Sequence, residues 1–122
     1  KRSYGTGTST LCMIYNATGG NLTFVLKHTW EGNVWQSPYP QLIQNGQWAA
    51  FLHVRGRLMG PSKEAIVYRG QNNDGASRDW MLAWNTPRRN FQNRVYTEIR
   101  SAGSFASVNW NTIDNSMERQ TL

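Results

Sequence analysis

Residues 11–54 decide the fold. Leu11-Cys12-Met13-Ile14-Tyr15 runs into Asn16-Ala17-Thr18-Gly19-Gly20, and residues 22–30 follow as Leu-Thr-Phe-Val-Leu-Lys-His-Thr-Trp. A connection rich in proline and aromatic residues then leads to Asn45-Gly46-Gln47-Trp48 and on to Val54. In 22–30, Leu22, Phe24, Leu26, His28 and Trp30 alternate with Thr23, Val25, Lys27 and Thr29, the period of a half-buried strand. Residues 11–15 are apolar on both faces, which predicts a strand central in a sandwich. Pro38 and Pro40 exclude helix and interior strand from the connection, and Asn45-Gly46 is a strong turn signal.

The same reading extends through the rest of the chain. Residues 64–69, 79–84 and 94–100 read as further strands, separated by Gly60-Pro61, by Asn72-Asn73-Asp74-Gly75 and by the loop holding Pro87. Trp80, Leu82 and Trp84 share one face; Val95, Thr97 and Ile99 oppose Tyr96 and Glu98. Residues 103–122 are ambiguous: 110–113 fit one more strand, or the stretch holds a short helix. The fold class that results is all-β, a single-domain antiparallel β-sandwich over residues 1–122. Residues 1–9 form an entry arm and 114–122 a poorly defined C-terminal tail.

Composition agrees. With 39% hydrophobic, 12% aromatic and 16% charged residues, the 122-residue chain is globular rather than disordered. Six tryptophans can each bury on the order of 200 Å² and supply a core poor in leucine. A net charge of +6, with ten of the thirteen cations arginine, suits an anionic partner such as a membrane surface, a nucleic acid or an acidic glycan. The lone Cys12 excludes an intramolecular disulfide, and no basic neighbour in sequence activates it. No apolar run approaches the roughly 18 residues of a membrane-spanning helix. The expected location is cytoplasmic, or secreted or vacuolar if a segment before Lys1 has been removed. Asn16-Ala17-Thr18 and Asn21-Leu22-Thr23 match the glycosylation triplet, and turn formation explains both equally well.

Three residue sets could carry function. Trp30, Trp35, Tyr39 and Trp84, with Arg88 and Arg89, could bind a polar ligand. Aromatic faces suit a sugar ring or the headgroup layer of a bilayer, and arginines suit a phosphate. Within that set Trp30 and Trp84 share strand register with core positions, whereas Trp35 and Tyr39, between a glycine and two prolines, are expected to be exposed. Arg55, Arg57, Arg88, Arg89, Arg94 and Arg100, with Phe91 and Tyr96 interleaved, could bind RNA, although no RNA-recognition motif accompanies them. His28, His53 and Glu98 supply the types for a ribonuclease, but both histidines fall on the parity of core residues. The histidines and carboxylates have no metal-ligand spacing, so neither metal nor cofactor is expected.

Residues 11–19, Ser37-Pro38-Tyr39-Pro40, residues 43–54, Val67-Tyr68-Arg69-Gly70, residues 93–99 and Ser107-Val108-Asn109-Trp110 together resemble the jasmonate-induced protein family of plants. The resemblance covers roughly residues 8–113 and implies a role in stress and defence; it supplies no catalytic residues. A looser likeness is to cytolysin-type sandwiches, such as actinoporins, aegerolysins and related fungal lipid-binding lectins. It rests on Asn16–Gly19, Trp30–Gly32, Pro38–Pro40 and Gly46. That likeness implies a compact sandwich whose loops touch a lipid headgroup or a sugar, while residues 1–10 lack the amphipathic pattern of a pore-forming helix. The expectation is a defence-related binding protein for a membrane lipid headgroup or glycan, with an RNA-directed protein as the alternative.

Overall fold

The computed structural model describes residues 7–36, 38–56, 60–71, 74–87 and 92–120. Two antiparallel sheets stack face to face. The smaller has the order β1-β5-β3, from β1 (Ser9–Tyr15), β5 (Trp48–Val54) and β3 (Asn33–Val34). The larger has the order β4-β2-β6-β7-β8, from β4 (Leu42–Ile43), β2 (Leu22–Glu31), β6 (Ser62–Gln71), β7 (Ser77–Thr86) and β8 (Arg94–Ser101). A 3₁₀ turn, Ser104–Ser107, and one helix, α1 (Trp110–Glu118), pack on the outer side of the larger sheet.

Turn chemistry fixes the strand order. The buried Asn16 side chain donates to the carbonyls of Gly20 and Ile43, both at 2.7 Å, and accepts from the Thr18 N–H and hydroxyl. Its backbone reaches the second turn as well: Asn16 N–H donates to Gln47 O, and Gly46 N–H donates to Asn16 O. Gly46, at φ +84°, supplies the left-handed residue that turn requires. Asn16 is 0% exposed, so its triplet is a structural hub rather than an accessible glycosylation acceptor.

The sandwich has two cores, not one. Between the sheets lie Ile14, Ile43, Phe51, Ile66, Tyr68 and Trp84. On the far side of the larger sheet, Val67, Met81 and Ala83 meet Phe105, Ile113 and Met117. Strands β6 and β7 are therefore covered on both faces, and α1 takes over what the sequence leaves as a tail. Asn109 caps it by accepting from Asn111 N–H at 3.0 Å, and Ile113 and Met117, four residues apart, form its buried stripe.

Strand β2 departs from simple alternation. A bulge between Phe24 and Leu26 shifts its register against β6. Phe24 consequently packs between the sheets, whereas Val25, Leu26 and Trp30 pack on the helix side. The strand β1 also differs from expectation. It pairs only with β5 and is an edge strand, with Leu11, Met13 and Tyr15 facing out.

A polar knot ties the two sheets together. Glu64 on β6 is 0% exposed and accepts hydrogen bonds from the hydroxyls of Thr29 and Tyr39. His53 on β5, also fully buried, brings Nε2 to 3.3 Å from Glu64 Oε2, off the line of a good hydrogen bond. Its Nδ1 lies 2.6 Å from Ser62 Oγ, which also accepts from Thr10 at 2.8 Å and from the Trp84 indole N–H at 3.3 Å. Burial alone would push the Glu64 carboxyl up; His53, Thr29 and Tyr39 outweigh it and hold the carboxyl below its ordinary range.

Because that carboxyl is depressed in the folded state, its stabilisation is complete above about pH 4.5, the ordinary glutamate value, and is lost as pH falls through the lower folded value. Glu64→Gln should cost about 2–4 kcal/mol at neutral pH and flatten this part of the acid transition, as read by urea denaturation at several pH values. Gly32, at φ +101°, abuts the knot, and a Cβ there would collide with Val54 O and lie 2.6 Å from His53 Cε1. Gly32→Ala should therefore destabilise the fold by about 2–4 kcal/mol in the same measurement.

Candidate functional site

The smaller sheet has three strands against five, and nothing among the described residues covers its outer side. Along β1 and β5, Cys12, Ile14, Ala49, Phe51 and His53 point inward, so the alternate positions point out. These are Leu11 (67% exposed), Met13 (61%), Tyr15 (49%) and Trp48 (64%), together with Ala50 and Leu52. The register pairs them in rows: Tyr15 with Trp48, Met13 with Ala50, Leu11 with Leu52. Trp35 N–H donates to Leu52 O at 2.7 Å, which continues the β3–β5 register and sets Trp35 in the last row. Among the described residues no charged side chain interrupts these rows. The Tyr15 and Trp48 rings lie 5.0 Å apart and tilted by 43°, forming one aromatic end of the strip.

A groove of about 250 Å³ adjoins that aromatic end. Its apolar lining comes from Ile14, Leu22, Trp80 and Ile99, and Tyr15 belongs to both the groove and the outer face. The groove exists because the smaller sheet stops short of β8. Val95 and Ile99, on the side of the larger sheet that faces the smaller one, are left 41% and 68% exposed. Arg78 supplies a cation to the lining, and Thr18 and Gln71 supply neutral polar groups.

Among the described residues, those singled out by sequence do not converge. Tyr39, expected in an exposed bend, is 4% exposed; its ring packs on Phe24 and Phe51 and its hydroxyl is committed to Glu64. The expectation of exposure is corrected: a proline bend is pulled inward where a buried carboxylate needs a donor. Trp84 is a core residue, as its register indicates. Trp30 is half-buried on the opposite side of the larger sheet, edge-on to Trp110 and to His28, with Lys63 Nζ 5.5 Å from its ring centroid. Of the aromatic set, Trp35 alone joins the outer face. Arg88 and Arg89, like Arg57 and Phe91, lie outside the described residues.

The candidate acid–base groups are likewise dispersed. His28 stacks on Trp110 at 4.7 Å, and loss of solvent there lowers its pKa. His53 lies between the sheets, on the other side of the larger sheet. Glu98 is engaged by Arg100 and Tyr96. Ser62, His53 and Glu64 have the residue types of a hydrolytic triad, but each is 0% exposed, so no substrate reaches them. Burial pushes the Cys12 thiol up to about 12, which leaves it an unreactive core group. No group of His, Cys, Asp and Glu among the described residues is arranged to hold a metal ion.

Sequence reasoning missed Leu11, Met13, Tyr15, Trp48, Arg78 and Ile99. The signal was present in Leu11–Tyr15: a strand apolar on both faces is either buried twice or, on a sheet too small to be covered, offers one apolar face to a partner.

Comparison with known proteins agrees with this architecture. The chain is 44% identical over 119 residues to a 23 kDa jasmonate-induced protein of Hordeum vulgare, covering 94% of this chain and 56% of that protein. It is 33% identical over 108 residues to a jasmonate-induced protein homolog of Atriplex canescens, covering 86% of this chain and 58% of that one. The crystal structure of the lipid-binding protein Nakanori superposes with a TM-score of 0.84 at 26% identity, covering 99% of this chain and 59% of Nakanori. The chain thus spans somewhat more than half the length of each. Residues 1–120 match the family model described as Nakanori-like protein, and the chain belongs to that family.

Proposed function

We propose that this chain is a lipid-binding module of a stress-related plant protein, and that the outer face of the smaller sheet rests on a bilayer. The carrying observation is the uninterrupted apolar surface of Leu11, Met13, Tyr15 and Trp48 on rigid strands. Exposed apolar area costs about 25 cal/mol per Å² in water and is recovered on contact with a hydrocarbon or interfacial environment. Tyrosine and tryptophan suit the headgroup layer, and leucine and methionine suit the acyl boundary beneath it. A sugar would instead call for aromatic planes flanked by hydrogen-bonding side chains, which Met13, Ala50 and Leu52 do not provide. The likeness to the lipid-binding protein Nakanori and to jasmonate-induced plant proteins supports the same reading. The +6 charge adds attraction to anionic lipid without specifying it.

Co-sedimentation with phospholipid vesicles tests the reading. Trp48→Ala should weaken binding about tenfold, the loss expected from removing one interfacial tryptophan. Met13→Asp, which puts a charge in the middle of the face, should abolish it. Both positions are solvent-exposed, so thermal stability should stay near that of the parent. A parent protein that ignores vesicles, or variants that sediment with them as it does, would contradict the proposal.

A further inference from the structure

We propose that the groove beside Tyr15 takes the phosphodiester of a membrane phospholipid headgroup, with Arg78 as its anion contact and Trp80, Ile99, Leu22 and Ile14 as its apolar wall. This rests on the outer face meeting the bilayer. If the Tyr15–Trp48 row lies at the headgroup level, the groove that shares Tyr15 opens at the same depth.

Three observations carry the assignment. The first is charge. Arg69 is neutralised by Asp79 at 2.7 Å and Arg100 by Glu98 at 2.5 Å. Arg78 donates to the carbonyl of Ser77 at 3.2 Å and forms no ion pair among the described residues. Its sequence neighbour Asp79 points to the other side of the sheet, where Arg69 and the Gly103 N–H hold it. A guanidinium left with free donors in an apolar groove is complementary to a phosphate, which it can meet with two parallel hydrogen bonds.

The second observation is space. Across the ladder Arg78 faces Gly70 on one side and Ser101 on the other, so neither neighbour competes for its fork. A Cβ at Gly70 would lie 3.0 Å from Leu22 Cδ2, so the missing side chain also keeps that wall in place. The third is size. At about 250 Å³ the groove is smaller than the roughly 300–1,000 Å³ of sites that enclose a drug-sized ligand. It has room for a headgroup and none for whole acyl chains, which stay in the bilayer that the outer face touches.

The test compares phosphatidylcholine vesicles with digalactosyl diacylglycerol vesicles, whose headgroup lacks phosphate, using the whole chain. Arg78→Met, which keeps an apolar stem, should weaken binding to phosphatidylcholine about tenfold, the worth of one charge-assisted contact, and leave binding to the galactolipid unchanged. Arg78→Lys should recover part of the loss, since a point charge replaces a fork. Trp48→Ala should weaken binding to both vesicles. Equal loss on both lipids for Arg78→Met, or no loss on either, overturns the headgroup site while the bilayer-contact reading stands. Failure of the parent chain to bind either vesicle removes both. Release from phosphatidylcholine by millimolar inorganic phosphate would assign the groove to a soluble anion and overturn the lipid source.

Discussion

Glu64 places a carboxylate where no water reaches, and such a group is tolerated only if enough donors converge on it. Here Thr29 comes from β2 and Tyr39 from the proline bend, and His53 approaches from β5. One acidic residue on β6 thereby requires the two sheets and the connection between them to close as a unit. Ser62 extends the constraint through Thr10 to β1 and through Trp84 to β7. Removing any one donor leaves a buried charge short of partners, so the knot acts cooperatively rather than as separate bonds. Tyr39 is consumed by this requirement, and its ring faces the core rather than solvent.

Closing the fold this way leaves an asymmetry. Among the described residues the larger sheet has a partner on each face, whereas the smaller sheet has one only within the sandwich. Three strands over five also leave β8 uncovered, which exposes Ile99. The outer face of β1 and β5 and the ledge of β8 are thus consequences of the same mismatch in width, and Tyr15 sits where they join. Recognition surfaces in many β-folds are built from loops; in this chain strand geometry holds the apolar positions, so their spacing is set by the 4.7–4.9 Å separation that paired strands generally keep.

Much of this was legible in the sequence, and the failures have physical causes. Asn16 and Asn45-Gly46 announced the turns because local chemistry alone determines them. The parity of His53 with Phe51, and of Trp84 with Trp80 and Leu82, correctly placed both residues inside. The parity of β2 failed at Phe24 because a bulge adds a residue without any compositional mark. Residues 103–122 admitted a strand at 110–113 or a short helix, and the Asn109 cap with Ile113 and Met117 at helical spacing makes it a helix. Tyr39 was misplaced because prolines report local backbone limits and say nothing of a carboxylate twenty-five positions away. The reading of β1 as doubly buried failed because hydropathy records what a face prefers, not whether the fold supplies a cover.

That last distinction bears on function. A strand that is both an edge and apolar on its outer side is a liability in water, open to pairing and to self-association. The chain carries this face although its central strands avoid such exposure: β6 and β7 are buried on both sides, and α1 covers the second core. Stability is concentrated where the sheets and helix meet, which allows Leu11, Met13, Tyr15 and Trp48 to remain bare without unfolding the domain. The +6 charge opposes association of like molecules while leaving attraction to anionic surfaces intact. The two features act in the same direction: like charge disfavours contact between copies of the apolar face, and the proposed bilayer contact would cover it.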